Sequence, residues 1–201
     1  VMPDGSVIAG GNFTIAGGEV TNGLARWNGV RWTPVSAALT SPLQVTTLLA
    51  LPNGELWVSG TFTSVGGVPA PGLARFDGSS WSPLGAGPGF VPTALVHETA
   101  GTVLASGNGG IARWNGLAWT PLVGQQSGVA VFRCVVESHG QLIAAGQFTA
   151  VGAVPVANVA RFDGVSWREL TPGCNGAVVA AVAASGPLTV PGLYTRVVAV
   201  A

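Results

Sequence analysis

His97, Glu98, Glu137 and His139 are the residues of this chain best suited to acid–base or metal chemistry. The chain is a tandem repeat. Aligned by repeat, His97 and Glu98 fall on Ala50 and Leu51, and Glu137 matches Glu98 one repeat later. His139 follows in the next turn. The alignment therefore predicts all four at one rim, at the ends of adjacent inner strands. Two imidazoles and two carboxylates at one place could ligate a metal or work as acid and base. The plainer reading is that they are solvated turn residues. We assign no catalytic residue, no metal and no cofactor, and carry the four as a candidate ligand-binding set. Asn108 joins them for a different reason. Repeat three lacks a loop that the other repeats possess, and its deletion is expected to open a notch at Asn108-Gly109-Gly110, on the opposite face.

The frame for these residues is a phrase that returns four times. It runs Leu24-Ala25-Arg26-Trp27-Asn28-Gly29 to Trp32, then Leu73-Ala74-Arg75-Phe76-Asp77-Gly78 to Trp81. It returns as Ile111-Ala112-Arg113-Trp114-Asn115-Gly116 to Trp119, and as Val159-Ala160-Arg161-Phe162-Asp163-Gly164 to Trp167. Successive phrases are 49, 38 and 48 residues apart. A second marker precedes three of them: Gly11-Asn12-Phe13-Thr14, Gly60-Thr61-Phe62-Thr63 and Gly146-Gln147-Phe148-Thr149. Repeat three has lost it, hence its short period. Because Arg26, Arg75, Arg113 and Arg161 occur in every repeat, their expected role is structural. Asp alternates with Asn two residues later, so pairing with that position cannot be general. Stacking on Trp, or hydrogen bonds to strand-end carbonyls, would serve all four.

Repeat two shows what a unit must fold into. Val45–Leu51 and Leu56–Phe62 read as strands around the turn Pro52-Asn53-Gly54. Leu73–Phe76 and Ser80–Leu84 read as two more around Asp77-Gly78, which signals a two-residue type I′ hairpin. Gly66-Gly67 with Pro69 and Pro71 reads as a loop. With 31 Gly and 14 Pro, no helical period is sustained. The expected fold is all-β: a β-propeller of about four four-stranded antiparallel blades and a partial fifth, a β-solenoid being the alternative. The repeats run about 1–41, 42–89, 90–127, 128–174 and 175–201, in one domain cropped at both ends. The parent ring is expected to hold about six to eight blades. Trp32, Trp81, Trp119 and Trp167 are expected to pack between blades.

The two markers together resemble a propeller repeat of secreted and surface bacterial proteins, related in pattern to Kelch and galactose-oxidase-type blades. They also resemble the fungal cortical-marker proteins of cell polarity. The resemblance spans roughly residues 1–195. It implies an extracellular or cell-surface location, and a binding or scaffolding role without assigned chemistry. Copper-radical oxidation is set aside, since one Tyr and two His cannot supply its ligands.

Composition narrows the rest. The net charge is zero, only 8% of the 201 residues are charged, and mean hydropathy is +0.50. No basic patch marks a nucleic-acid partner. No apolar run reaches a membrane-spanning length. Nucleophile elbows, phosphate loops and acidic calcium loops are missing from the sequence. Cys134 is expected as a core-strand thiol and Cys174 as a loop thiol, with a disulfide between blades as the alternative. The expected function is a non-catalytic binding or scaffold module with an unidentified protein or carbohydrate ligand. A lectin, or a lyase or hydrolase using the His/Glu rim, are the alternatives.

Overall fold

The computed structural model describes residues 1–36, 43–123, 130–138, 140–170 and 174–178. The chain divides into two compact units, Val1–Pro92 and Thr93–Ala201. The first holds a three-stranded sheet of Val7–Gly10, Leu24–Trp27 and Trp32–Pro34. Beside it in sequence is a four-stranded sheet of Val45–Ala50, Leu56–Gly60, Leu73–Phe76 and Trp81–Pro83. The second unit holds two four-stranded sheets. One is built from Pro92–His97, Val103–Gly107, Gly110–Trp114 and Trp119–Val123. The other comprises Val131–Ser138, Gln141–Gln147, Val159–Phe162 and Trp167–Glu169. All pairings are antiparallel, in the order of the chain. We number these sheets blades one to four. The fifth repeat lies almost wholly outside the described residues.

Burial explains the apolar second strands. Every residue of Leu56–Gly60 and of Val103–Gly107 is buried, so both faces of these strands are covered. In the first unit, Leu56, Val58, Phe62, Phe76 and Trp81 form one cluster with Leu24 of blade one. In the second, Leu104 and Ile111 of blade three pack with Phe132, Leu142, Phe148, Phe162 and Trp167 of blade four. The glycine of the Gly-x-Phe-Thr marker has a steric cause. A Cβ on Gly60 would lie 1.9 Å from the Gln44 carbonyl oxygen, and one on Gly146 would lie 2.0 Å from that of Val131. Only glycine lets the second strand approach the entry of the innermost one this closely.

Two expectations are revised. The stretch after Phe-Thr is not an open loop but a small hairpin, pairing Ser64–Val65 with Val68–Pro69 in blade two. Equivalent hairpins pair Ile15–Ala16 with Glu19–Val20 and Ala150–Val151 with Val154–Pro155. The outer hairpin is not a two-residue type I′ turn either. Phe76 pairs with Trp81, so four residues form the connection. Gly78 alone has positive φ there, at +98°. Asp77 Oδ1 accepts hydrogen bonds from the Ser79 and Ser80 amides, both at 2.8 Å. Asn28, Asn115 and Asp163 do the same in their own blades. One side-chain oxygen makes the turn, which is why Asp and Asn interchange at this position.

The aromatic residues flanking each turn pack against each other. Ring centroids are 5.6 Å apart for Trp27–Trp32, 4.9 Å for Phe76–Trp81, 5.4 Å for Trp114–Trp119 and 5.1 Å for Phe162–Trp167. Trp81 and Trp167 are buried, whereas Trp32 and Trp119 are half-buried. The thiols also differ from expectation: Cys174 is the buried one, packed with Ile143, Val159 and Val178, while Cys134 is half-buried at the edge of that cluster.

Trp81→Ala should lower unfolding free energy by roughly 3–5 kcal/mol. Trp119→Ala should cost clearly less, because less of its ring leaves water. Chemical denaturation of both variants checks the ranking, and equal losses would refute it. The amides beside Asp77 hold its carboxyl well below the usual carboxylate range. A depressed folded pKa stabilises above the unfolded value, near 3.8, and that gain fades as pH falls below it. Asp77→Asn should therefore keep the melting temperature at pH 7 and flatten its decline below about pH 4. Asp77→Ala should lower it at every pH.

Candidate functional site

Glu98 begins the turn that joins the first two strands of blade three. Its amide donates to the Thr102 carbonyl at 2.8 Å, and Gly101 donates back to the Glu98 carbonyl at 2.9 Å. This tight turn folds the Glu98 side chain inward, where it is only 5% exposed. Arg113, on the third strand, meets it edge to edge. Arg113 Nε donates to Oε2 and Nη2 donates to Oε1, each at 2.7 Å. The Thr102 hydroxyl donates to the same carboxylate. A planar guanidinium matched to a carboxylate is the strongest pairing these groups can form.

Glu137, in blade four, reaches into the same turn. Its carboxylate accepts the Thr99 amide at 2.8 Å and the Thr99 hydroxyl at 2.7 Å. These two bonds, the amide first, with a smaller attraction from Arg113, hold its carboxyl below the usual range. Glu98, Thr102, Arg113, Glu137, Leu142 and Phe162 line a recess of about 300 Å³. The structure thus brings Glu98 and Glu137 to one recess. His97 is exposed at the end of its strand and takes no part in the lining. His139 lies outside the described residues. Asn108 is exposed at the opposite end of strand Val103–Gly107, in a bridge to Val131. The adjacent Gly109 is buried and donates to the Ala130 carbonyl at 2.8 Å. Among the described residues, no three His, Cys, Asp or Glu side chains stand close enough to share a metal ion.

The arginines are where residue-by-residue reading went astray. In three of the four blades the arginine is paired with a carboxylate, but the acid comes from elsewhere in the blade. Arg26 pairs with Asp4, Arg75 with Glu55 (3.5 Å) and Arg113 with Glu98 (2.7 Å). Each acid lies in the turn before the second strand of the same blade, 15 to 22 residues ahead of its arginine. That spacing was the available signal. The first unit repeats the recess as well: Asp4, Arg26 and Ile8 of blade one face Leu56 and Phe76 of blade two across about 270 Å³. Leu56 and Phe76 are the counterparts of Leu142 and Phe162. Such recesses are therefore built by the repeat.

A family sequence model agrees with this architecture. The sequence model of a family described as "Domain of unknown function (DUF5122) beta-propeller" matches residues 3–29 and 51–80. The fold is that of a β-propeller. No curated protein matches the chain. Among solved structures, the propeller described as "YCF48 bound to D1 peptide" is similar at 18% identity with a TM-score of 0.46. The match covers 81% of this chain and 57% of that one. No helix among the described residues is long and apolar enough to cross a membrane.

Glu98→Gln should destabilise the fold by roughly 2–3 kcal/mol, at the low end for a broken buried ion pair because Arg113 keeps access to water. Urea denaturation measures it. A stability unchanged within 0.5 kcal/mol, a margin of about the usual surface effect, would show that Glu98 does not hold the turn.

Proposed function

We propose that this propeller is a non-catalytic binding or scaffold module. One observation carries the reading: both carboxylates offered for chemistry are held in fixed contacts between the strands and turns of blades three and four. Glu98 is matched by Arg113 and Thr102, and Glu137 accepts both donors of Thr99. A general acid or base must reach a reacting atom and exchange a proton with it. These carboxylates instead face donors of their own fold. The recurrence of the recess in the first unit supports the same conclusion. The resemblance of the repeats to those of secreted and surface bacterial proteins supports an extracellular setting.

The test is a paired screen of the whole protein, on peptide and glycan arrays and in turnover assays with polysaccharide substrates. Binding without turnover is the expected result. Hydrolysis or elimination that disappears in Glu137→Gln would overturn the reading.

A further inference from the structure

Blade four breaks the rule that the other three keep. Its phrase arginine, Arg161, has no carboxylate partner among the described residues. The position that holds Glu55 in blade two, directly before the second strand, holds Gln141 here. The outer strand departs too. Opposite the arginine stand Thr33 in blade one, Ser82 in blade two and Thr120 in blade three. In blade four the residue opposite Arg161 is Arg168. Two like charges directly across a strand pair repel each other and destabilise the sheet. Arg168 is mostly exposed, and its Nε is engaged by Asp163 at 3.1 Å and donates to the Ser166 hydroxyl at 3.3 Å.

No other acid of the second unit answers this charge. Glu98 is matched by Arg113. Glu137 stands in register with Leu142 and Phe162, on the opposite face of the sheet from the row Val136, Ile143, Arg161 and Arg168. Glu169 follows Arg168 and so points to that opposite face as well. No Asp or Glu occurs after Glu169 in the sequence. The arginine row also borders an apolar cluster containing Ile143, with Val136 and Leu170 at its edge.

We propose that Arg161 and Arg168 form a carboxylate-binding site on blade four, which takes an Asp or Glu side chain of a partner protein flanked by apolar residues. The sister blades decide the ligand class, because each answers the same arginine with a carboxylate. Two guanidinium groups side by side offer paired donors to its two oxygens. Ile143 itself is buried beneath Cys174 and Val178, so the half-buried Val136 and Leu170 at the edge of that cluster receive the flanking apolar side chains. The proposal rests on the binding-module reading and names the chemistry of its partner.

The test follows the arginine Nε–H resonances of the full chain. The probes are the capped tripeptide acetyl-Val-Glu-Val-amide, its Gln counterpart and inorganic phosphate. The Glu peptide should shift Arg161 and Arg168 saturably, and the Gln peptide should bind at least tenfold more weakly. Gln141→Glu rebuilds the blade-two arrangement. It should raise the melting temperature and abolish the peptide-induced shifts. Equal shifts from both peptides, shifts shared with Arg26, Arg75 and Arg113, no saturable shift, or an unchanged melting temperature in Gln141→Glu would each overturn the site. Tighter saturation by phosphate would overturn its carboxylate assignment. Peptide shifts mapping elsewhere would reject the site and leave the binding-module reading intact, whereas turnover of a substrate would reject that reading.

Discussion

The second strands of blades two and three are buried on both faces, and this constraint governs the rest of the structure. Leu56–Gly60 and Val103–Gly107 expose nothing to solvent, so a single sheet cannot stand alone. It must have a neighbour on each face, and the repeat is the means of providing one. Any polar side chain that the repeat carries on these faces enters an interface between sheets. There it must be matched, because an unmatched charge away from water is costly. The arginine of the recurring phrase stands on the third strand and keeps 33–44% of its side chain in water in blades one to three, so its carboxylate partner there is a partly solvated match.

The same logic separates architecture from specificity in this chain. Glycine at Gly60 and Gly146, the Asx oxygen at each outer turn and the paired rings beside it are requirements of the sheet. They recur because each blade solves the same packing problem. Glu98 and Glu137 look distinctive in the sequence, yet Glu98 does in blade three what Asp4 and Glu55 do in the first unit. Arg161 looks ordinary in the sequence, and it is the one whose surroundings changed.

The strand pattern was legible because it depends on local chemistry. Leu73–Phe76 lies where its alternation and its flanking turns put it, and the four-stranded order follows from the repeat. The turn type was misread because Asp-Gly was scored by backbone preference, whereas the side-chain oxygen closes the loop. The arginine partners were missed for another reason. Glu98 and Leu51 do hold the same turn position, each amide donating to the carbonyl four residues on at 2.8 Å. The acid sits at a different place in the first turn of each blade, as Asp4, Glu55 or Glu98, so no single column of the repeat carries it. His97 and Glu98 are adjacent in sequence, but one is exposed and the other buried, so adjacency was a poor guide to shared chemistry.

The outer turns uncouple charge from shape. Since Asn28 and Asp77 close the same loop with the same oxygen, a swap between amide and acid leaves the backbone hydrogen bonds in place. Four such corners give the lineage a set of independent electrostatic dials. A chain that is neutral now can drift acidic or basic through them, altering colloidal behaviour and the attraction of charged encounters. The fold is not consulted in the change, and a surface of this kind can evolve faster than the sheets beneath it.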